Sequence, residues 1–398
     1  MRIAIFSDNF YPELSGISDS IITTAKALAK LGHEICFFVP DYSEKNFKTA
    51  NIESKREIDL GERISIKRLF AFSYPGPTKQ SRAVIPTGFR TFTIKKFKPD
   101  IIHTQLFFGA GLEALMAAKI LKVPLVGTNH TAISEFIRNA PIKGKWLEKA
   151  GLKYVNWYYG KCSFISAPSQ SVFEEMEKFS FKTNHEVISN PVNAGIFSVS
   201  TEYDINVLKN KFGINDKTLV YAGRFAPEKN IDIIIKAVAL VKKKIPGVTL
   251  AMAGHGVSLE AIKKLAKELD VQENVKFLGV ISQFDLANLY RVSEIFTITS
   301  TSETQSMTLI QAMACGLPVI GVRARALPEY IENNGILIEP GDYKDLSEKI
   351  VELLENQSLR TELGERGLKF VQKFSDKNIA LKWEEIYKRE IVNYKNSL

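Results

Sequence analysis

Short apolar runs alternate with amphipathic stretches along most of the chain, a pattern typical of strands that alternate with helices. In the first half, apolar runs at residues 2–7 and 34–39 flank a stretch with helical periodicity at 18–31. Further strand candidates lie at 64–70, 100–104, 124–128 and 164–167. Because strands that alternate with helices tend to pair in parallel, the first half is predicted to be an α/β domain with a doubly wound sheet.

The same alternation returns after a polar, unpatterned stretch at 195–205, which we interpret as a linker between domains. Strand candidates in the second half lie near residues 218–222, 248–253, 275–278, 294–299, 317–322 and 335–338. We therefore predict two Rossmann-like domains, at residues 1–195 and 196–375. The last stretch, 376–398, has helical periodicity and is predicted to be a single helix.

A first candidate site lies where the predicted strand at 294–299 meets the helix formers that follow it. Glu303 comes directly after this strand, and a helix is predicted to begin close to Ser306. Parallel α/β sheets bind ligands at the carboxyl ends of their strands, and free N–H groups at a helix start favour phosphate. We expect Glu303 to hold sugar hydroxyls, and the helix start at Ser306, Met307 and Thr308 to hold a diphosphate.

A second candidate site follows the predicted strand at 218–222. Arg224 and Lys229 lie five residues apart on a loop that precedes the next helix. Since the chain contains no D-x-D sequence, there is no obvious pair of carboxylates for a metal that would neutralise a leaving diphosphate. The two cations can supply that charge instead, Arg with a fork of donors and Lys as a point charge. The alternative is a solvated surface pair.

Length, apolar runs and cysteines exclude several classes of protein. With 398 residues the chain is long enough for two domains with sizeable cores. None of its apolar runs approaches the roughly 18 residues of a membrane-spanning helix, and the N-terminus turns polar too early for a signal peptide. Cys36, Cys162 and Cys315 are scattered, which argues against a disulfide framework or a zinc site. We therefore predict a cytoplasmic protein without a bound metal.

The net charge of +9 is concentrated in the first predicted domain. Residues 1–195 contain 26 Lys and Arg against 18 Asp and Glu, whereas the rest of the chain contains 27 against 26. Residues 63–98 include nine basic residues and no acidic one. Such asymmetry suggests an anionic partner. Nucleic acid is a disfavoured candidate, because no recognised nucleic-acid-binding motif accompanies the charge.

Two of these segments resemble signatures of one enzyme family. The segment from Glu303 to Gln311 resembles the E-x7-E signature of the retaining family-4 glycosyltransferases, with Gln311 in the place of the second acid. The segment from Gly223 to Asn230 resembles the G-R-x4-K-N element of the same family. The resemblance extends over essentially the whole chain, and the elements appear in the expected order.

This resemblance implies a GT-B fold, in which two Rossmann-like domains face each other across a cleft and the terminal helix crosses back to the first domain. It also implies transfer of a hexose from a nucleotide sugar to a hydroxyl, with retention of configuration and with no metal or other cofactor. In that reaction Arg224 and Lys229 would stabilise the departing diphosphate. Glu303 would hold the donor sugar and Gln311 the nucleotide ribose.

Four further residues match elements of the family. Gly16 lies in a segment similar to the family's Gly-Gly-Val loop, and His130 lies in a run similar to its Thr-x-His-Thr element, where the histidine contacts the donor sugar in relatives. Gly254 resembles the glycine loop beside the nucleotide, and Val280 ends a segment similar to the strand and turn that hold the base. The alternatives are an ordinary turn and a structural histidine.

A G-x-G-x-x-A sequence from Gly109 to Ala114 also follows a predicted strand, where it suggests a dinucleotide cofactor. That strand is central rather than first, however, and no acidic residue stands about 20 positions later, where a ribose partner is expected. We therefore interpret Gly109 and Gly111 as packing glycines.

Two stretches of the first domain combine basic with aromatic residues. The stretch at 67–98 includes Phe70, Phe72, Tyr74, Phe89, Phe92 and Phe97. The stretch at 138–161 places six residues at helical three- and four-residue spacing: Trp146, Lys149, Lys153, Tyr154, Trp157 and Lys161. Such a helix face suits the headgroup layer of an anionic membrane. The alternative is that the aromatic residues are core and the lysines a solvated rim.

The runs Thr-Asn-His-Thr and Ser-Glu-Thr-Gln resemble the diacylglycerol glucosyltransferase branch of the family. This implies UDP-glucose as the donor, a membrane lipid such as diacylglycerol as the acceptor, and peripheral binding to the cytoplasmic leaflet. Two alternatives stay open. One is a GDP-mannose-dependent mannosyltransferase that acts on a phosphoinositol lipid or a soluble glycan. The other is a non-catalytic GT-B binding protein, marked by Gln311.

Overall fold

The structure is a computed structural model that describes residues 1–13, 15–49, 52, 54–73, 82–88, 91–132, 134, 145–200 and 203–397. The chain forms two compact units. The first unit consists of Met1–Pro191 together with Asp376–Leu398, and the second unit of Val192–Ser375. This division falls four residues before the predicted boundary at 195, and it assigns the terminal segment to the first unit.

The first unit is built on a seven-stranded parallel sheet with the strand order β3-β2-β1-β6-β7-β8-β9. Its strands are β1 (Arg2–Phe6), β2 (Glu34–Pro40), β3 (Ile64–Leu69), β6 (Ile101–Thr104), β7 (Leu125–Thr128), β8 (Phe164–Ala167) and β9 (His185–Val187), and a separate antiparallel pair is β4 (Ala71–Ser73) with β5 (Arg82–Val84). Its helices up to the linker are α1 (Gly16–Lys30), α2 (Glu44–Thr49), α3 (Thr91–Phe97), α4 (Gly109–Leu121), α5 (Lys145–Tyr159) and α6 (Gln170–Glu177).

Side chains on the central strands are buried on both faces of this sheet. In β1, Ile3 and Ile5 belong to one hydrophobic cluster, whereas Ala4 and Phe6 belong to another. Successive side chains of a strand point to opposite faces, so the helices must cover both sides of the sheet. This explains why the strands appear in the sequence as continuous apolar runs rather than as alternating ones.

The second unit has a six-stranded parallel sheet with the order β12-β11-β10-β13-β14-β15. Its strands are β10 (Thr218–Ala222), β11 (Thr249–Ala253), β12 (Val275–Gly279), β13 (Ile295–Ile298), β14 (Val319–Val322) and β15 (Ile336–Ile338). Its helices are α7 (Ile205–Phe212), α8 (Ile231–Lys244), α9 (Leu259–Glu268), α10 (Gln283–Arg291), α11 (Met307–Ala314), α12 (Leu327–Tyr330), α13 (Tyr343–Glu355) and α14 (Gln357–Val371). The prediction of two doubly wound α/β domains is therefore confirmed.

Each sheet has a point where the chain order reverses. In the first unit this point lies between β1 and β6, and in the second unit between β10 and β13. The loops that leave these two strands diverge to opposite sides, which opens a crevice at the carboxyl ends of the strands. Ligands of open α/β sheets bind at this position, so each reversal point locates a candidate site.

Gly109 and Gly111 have a packing role, as predicted. A Cβ atom on Gly109 would lie 1.9 Å from the carbonyl oxygen of Val84, and one on Gly111 would lie 2.2 Å from that of Leu106. These distances are far below van der Waals contact, so the start of α4 can approach its neighbours only because both residues lack a side chain.

The terminal helix α15 (Asp376–Asn396) completes the core of the first unit. Its buried face includes Ile379, Trp383, Ile386 and Tyr387, which belong to the same hydrophobic cluster as Ile3 in β1. The helix therefore contributes several of the largest apolar side chains that cover this face of the sheet. Within the described part of the chain, no helix combines the length and the hydropathy needed to cross a membrane.

We predict that replacing Trp383 by Ala lowers the free energy of unfolding of the first unit by about 3–5 kcal/mol, because it leaves a large cavity between α15 and the sheet. The matched control is Leu381→Ala on the same helix, since Leu381 is 42% exposed and such surface changes cost about 0.5 kcal/mol or less. Urea titrations followed by circular dichroism measure the unfolding of both variants. Equal urea concentrations at the midpoints of unfolding would contradict the packing role of Trp383.

Candidate active site

An ion pair between Lys229 and Glu303 lies at the reversal point of the second sheet. Lys229 ends a short 3-10 turn, Pro227–Lys229, that follows β10, and Glu303 follows β13. The Lys229 Nζ lies 2.7 Å from the Glu303 Oε1, and both side chains are largely removed from solvent. The structure thus brings together two residues that were predicted from separate sequence motifs.

Hydrogen bonds between the two loops hold this pair in place. The Asn230 side chain donates to the Thr299 carbonyl at 3.3 Å and to the Thr301 hydroxyl at 3.2 Å. In return, the Thr299 hydroxyl donates to the carbonyl oxygens of Lys229 and Asn230. Asn230 has a left-handed φ of 48°, which asparagine tolerates better than most residues. Asn230 therefore fixes the position of Lys229 relative to the β13 loop.

Arg224 lies on the same loop as Lys229 and is partly exposed. Its Nη2 lies 2.8 Å from the Glu228 Oε1. The buried Tyr221 hydroxyl donates to the Arg224 carbonyl at 3.1 Å, which anchors the backbone of the loop to β10. Burial raises the pKa of Tyr221, and the nearby charges of Glu303 and Glu228 raise it further. Tyr221 therefore stays neutral beside the Lys229–Glu303 pair.

Helix α11 begins beside Glu303, at the helix start that was predicted close to Ser306. The Ser306 side chain accepts a hydrogen bond from the Leu309 N–H at 3.3 Å. Met307 and Thr308, which are half-buried, form the first turn. Gln311 follows one turn later and is buried, and its side-chain amide makes no hydrogen bond with the described residues. An amide in this state is available to a ligand.

Gly254 and Val280 follow β11 and β12 at the same edge of the sheet. A Cβ atom on Gly254 would lie 1.9 Å from the Gly223 carbonyl oxygen, and Gly254 has a φ of 140°. The Gly254 N–H donates to the Gly279 carbonyl at 2.7 Å, directly before Val280. Gly254 therefore has a structural role that the sequence did not show, because it lets the Arg224 loop pack against the end of β11.

The remaining predicted site residues, Gly16 and His130, belong to the first unit. Gly16 is exposed and is the first residue of α1, whose N-cap Ser15 accepts from the Ile17 N–H. His130 follows β7 and is buried, and its Nε2 lies 2.8 Å from the Gln105 Oε1. Burial lowers the pKa of His130 to about 4, so the ring is neutral at physiological pH.

Two further buried polar residues, which were not predicted from the sequence, follow strands of the first sheet. Asp8 follows β1, and its Oδ1 accepts from the Ala110 N–H at the start of α4 at 2.8 Å. Burial raises the pKa of Asp8 to about 6, although backbone N–H groups oppose this shift. Gln105 follows β6 directly. Asp8 and Gln105 follow β1 and β6, the two strands at the reversal point of the sheet. This position is the sequence signal that could have identified them.

The helix face predicted on α5 is exposed. Trp146 and Trp157 are 70% and 50% exposed, whereas Tyr158 and Tyr159 on the opposite side are buried in the core. Lys149 and Lys153 are exposed on the same side as the two tryptophans, whereas Lys161, which was predicted to belong with them, lies beyond the end of α5 in the turn that follows. The interpretation in which the aromatic residues are core is thus wrong for the tryptophans and right for the two tyrosines. We call the exposed set of Trp146, Lys149, Lys153 and Trp157 the α5 face.

Exposed aromatic residues also occur in the other basic stretch. Phe70, Phe72 and Phe92 are 67%, 49% and 75% exposed. Tyr74 and Phe89, which were predicted to belong with them, lie outside the described residues. Within those residues the structure contains no cluster of three His, Cys, Asp or Glu side chains placed to hold a metal ion.

Comparison with known proteins identifies the family. The family model described as Glycosyltransferase Family 4 matches residues 14–195, and that described as Glycosyl transferases group 1 matches residues 204–370. The alpha-monoglucosyldiacylglycerol synthase of Streptococcus pneumoniae is 32% identical over 329 residues, which cover 80% of this chain and 70% of that protein. The chain belongs to the family-4 glycosyltransferases.

Other relatives of this glycosyltransferase match nearly its whole length. The alpha-monoglucosyldiacylglycerol synthase of Acholeplasma laidlawii is 25% identical over 402 residues, covering 97% of this chain and 96% of that protein. The N-acetyl-alpha-D-glucosaminyl L-malate synthase of Bacillus anthracis is 25% identical over 386 residues, covering 95% and 94%. Anabaena HepE in complex with UDP and glucose has a TM-score of 0.75 at 19% identity, covering 98% of this chain and all of that one. The GT-B fold class is thereby confirmed.

We predict that Arg224→Ala or Lys229→Ala lowers the turnover of this glycosyltransferase by at least about 100-fold, because each removes positive charge from a leaving diphosphate. Lys229→Ala also leaves Glu303 without its partner and should cost about 1–3 kcal/mol of stability. Lys229→Met combined with Glu303→Gln should recover that stability but not the activity. The control is Lys236→Ala, which breaks only the exposed pair with Asp232.

Transfer assays with a radiolabelled donor and thermal unfolding curves measure the two effects separately. Turnover close to wild type in the Arg224→Ala/Lys229→Ala double variant would contradict the assignment of these residues to the diphosphate.

We predict that Gln311→Glu preserves activity and tightens donor binding by about 1–2 kcal/mol, because a carboxylate accepts a charge-assisted hydrogen bond from a ribose hydroxyl. The same substitution should lower the stability of the ligand-free protein, since it buries an unpaired charge. Gln357→Glu, at an exposed position in the first turn of α14, is the matched control. Calorimetric titration with nucleotide sugars measures the affinity, and loss of donor binding in Gln311→Glu would refute the ribose contact.

Proposed function

We propose that this glycosyltransferase transfers glucose from UDP-glucose to a membrane lipid such as diacylglycerol, with retention of configuration and without a metal ion. In this proposal the enzyme binds peripherally to an anionic membrane surface through its first unit, and Glu303, His130, Arg224 and Lys229 take part in the chemistry.

The observation that carries the lipid acceptor is the α5 face. Two exposed tryptophans on one side of a helix are costly to leave in water, and together with two exposed lysines on the same side they fit the boundary between headgroups and acyl chains. Each Lys near an anionic membrane contributes about 1 kcal/mol. The names of two relatives, both alpha-monoglucosyldiacylglycerol synthases, support a diacylglycerol acceptor and a glucosyl donor.

The exposed apolar surface extends beyond α5. Trp157 stacks on Tyr154 with a centroid distance of 5.7 Å, and the Tyr154 hydroxyl donates to the Phe107 carbonyl at 2.7 Å. Phe108 follows, and its ring lies 4.5 Å from that of Phe107. Gly109 packs directly on Val84 in β5, so the start of α4 lies against the β4–β5 pair, in which Phe72 is exposed. Exposed aromatic residues on several elements of the first unit favour a broad planar partner such as a membrane.

The Lys229–Glu303 pair explains how a donor would be held. A diphosphate carries more negative charge than one carboxylate, so its oxygens compete with Glu303 for Lys229 and attract Arg224 as well. The Glu303 carboxylate then becomes available to accept hydrogen bonds from sugar hydroxyls. Because the pair is mostly withheld from water, these interactions are stronger than they would be on an open surface.

The transfer itself needs one bond to break and one to form. The bond between C1 of glucose and the diphosphate oxygen breaks, and the diphosphate leaves with the electron pair. The acceptor oxygen bonds to C1 from the same face, which retains the configuration, and its hydroxyl proton passes to a diphosphate oxygen. Lys229 and Arg224 stabilise the negative charge that develops on the leaving group.

The activity test offers the protein a panel of donors and acceptors in buffer with excess EDTA. The donors are UDP-, GDP- and ADP-sugars, and the acceptors are diacylglycerol in vesicles, phosphatidylinositol and a soluble glycan. We expect glucosyl-diacylglycerol from UDP-glucose with the α-anomeric linkage. Transfer only from GDP-mannose, or only to the soluble glycan, would contradict the proposed donor or acceptor. A strict requirement for Mg²⁺ or Mn²⁺ would contradict the proposed metal-free chemistry. If the protein bound nucleotide sugars but transferred sugar to none of the acceptors, it would be a non-catalytic member of the family.

Vesicle sedimentation tests the membrane contact separately. Binding should require anionic lipid and weaken with salt. The change Lys149→Glu/Lys153→Glu should weaken it by at least roughly 30-fold, which corresponds to the loss of about 2 kcal/mol. Lys243→Glu/Lys244→Glu makes the same change in charge at two exposed positions of the second unit and should have little effect. Equal recovery of wild type with neutral and anionic vesicles would point to a soluble acceptor.

A further inference from the structure

A chain of buried hydrogen bonds connects His130 to the terminal helix. The His130 Nε2 lies 2.8 Å from the Gln105 Oε1, and the Gln105 Nε2 lies 3.2 Å from the His103 Nε2. The His103 Nδ1 lies 2.7 Å from the Tyr387 hydroxyl of α15. The Thr128 hydroxyl is a further neighbour of the His103 Nε2, at 2.8 Å. Four side chains from three segments, the end of β6, the end of β7 and α15, thus form one continuous chain.

The Gln105 amide gives this chain a direction. In its orientation in the structure, the N–H group of this amide lies 3.2 Å from the His103 Nε2, and the Thr128 hydroxyl lies 2.8 Å from the same nitrogen. With the Gln105 amide as the donor, the His103 Nε2 accepts, so the His103 proton sits on Nδ1 and is donated to Tyr387. The amide oxygen faces the His130 Nε2, which must therefore carry a proton and donate it. An amide presents a donor on one side and an acceptor on the other. Gln105 consequently couples the two rings, because reversing one of them would require reversing the amide and the other ring.

Burial keeps both rings in the neutral state that this coupling needs. The pKa of His103 is lowered to about 3 by burial and by the neighbouring His130, and the pKa of His130 is lowered to about 4 by burial. A neutral imidazole has one donor and one acceptor, whereas a charged ring would have two donors. At physiological pH each ring is therefore neutral, and the orientation of the Gln105 amide selects its tautomer.

The members of the chain are removed from most of the solvent. His103, Gln105, His130 and Tyr387 are all buried, and they line one small cavity of about 20 Å³ together with Trp383 of α15. A space of this size admits about one water molecule. Protein side chains are therefore the main hydrogen-bond partners of these groups.

We propose that Gln105 is the positioning residue for His130, and that Tyr387 holds the Gln105 amide in its orientation through His103. This inference rests on the proposed role of His130 at the donor sugar. Gln105 fixes the plane of the His130 ring and places its proton on Nε2, so that the ring meets the donor with a defined orientation. The terminal helix takes part in the site through Tyr387 without contacting substrate.

The test is NMR of protein labelled with ¹⁵N-histidine, which reports the protonation of each ring nitrogen. The chain has five histidines, and replacing the others one at a time assigns the two signals of interest. We expect His130 protonated at Nε2 and His103 at Nδ1, and a slowly exchanging Nε2 proton on His130. Protonation of His130 at Nδ1, or the same tautomer on both rings, would overturn the proposal.

Two substitutions at position 105 separate positioning from packing. Gln105→Met keeps the length of the side chain but removes both hydrogen bonds, and should speed the exchange of the His130 proton by at least about 10-fold. It should lower kcat by about 10- to 100-fold, as expected for a misplaced group, with a smaller change in donor affinity. Gln105→Glu keeps an acceptor for the His130 Nε2 proton and should restore its slow exchange. Slow exchange in Gln105→Met would overturn the proposal.

Tyr387→Phe tests the remote end of the chain without a large loss of packing. We expect the His103 signals to shift and the His130 proton to exchange faster, whereas Tyr394→Phe, the control on the same helix, should change neither. A shift of the His103 signals without faster exchange of the His130 proton would contradict the proposed connection between the two residues. The spectra need no enzymatic turnover. Failure of the proposed function would therefore appear as absent transfer with intact His130 signals, and failure of this inference as altered signals in an active enzyme.

Discussion

The Lys229–Glu303 ion pair exists because two parallel strands end side by side. Strands β10 and β13 are neighbours in the sheet although helices and two further strands separate them in the chain. Their loops are joined by the hydrogen bonds of Asn230 and Thr299, so the two charges meet at a fixed distance. Two charges withdrawn from water stabilise each other only with good geometry. The precision of the loops is therefore a condition for keeping both charges in this place.

The same topology governs the first unit, where the outcome is a neutral network instead of an ion pair. Gln105 follows β6 and His130 follows β7, and these strands are adjacent. Parallel strands align their carboxyl ends, so polar residues that follow neighbouring strands come together even when the sequence between them is long. One geometric rule thus accounts for the position of the candidate site residues of both units, although one set is charged and the other neutral.

The elements and the charged site residues were predictable because their signals are local. Apolar runs define the strands, and Glu303 and Lys229 stand at recognisable strand ends before helix starts. The α5 face was also predictable, because helical periodicity separates Trp146 and Trp157 from Tyr158 and Tyr159. The coupling of Gln105 to Tyr387 was not, since these residues lie far apart in the chain and neither has a motif. The packing role of Gly254 against Gly223 depends on a close approach that no local pattern encodes.

The first unit is built from two segments at opposite ends of the chain, and this affects the order in which the two units can fold during synthesis. Its core needs Trp383 and Tyr387, which leave the ribosome only after the whole second unit has been made. Residues 192–375 are contiguous and can fold as soon as they emerge, since domains generally fold as units during translation. The amino-terminal sheet, although synthesised first, has one face that is only partly covered, by side chains of α1 such as Ile21 and Leu28, until α15 arrives. The part of the enzyme made earliest is therefore the last to be finished.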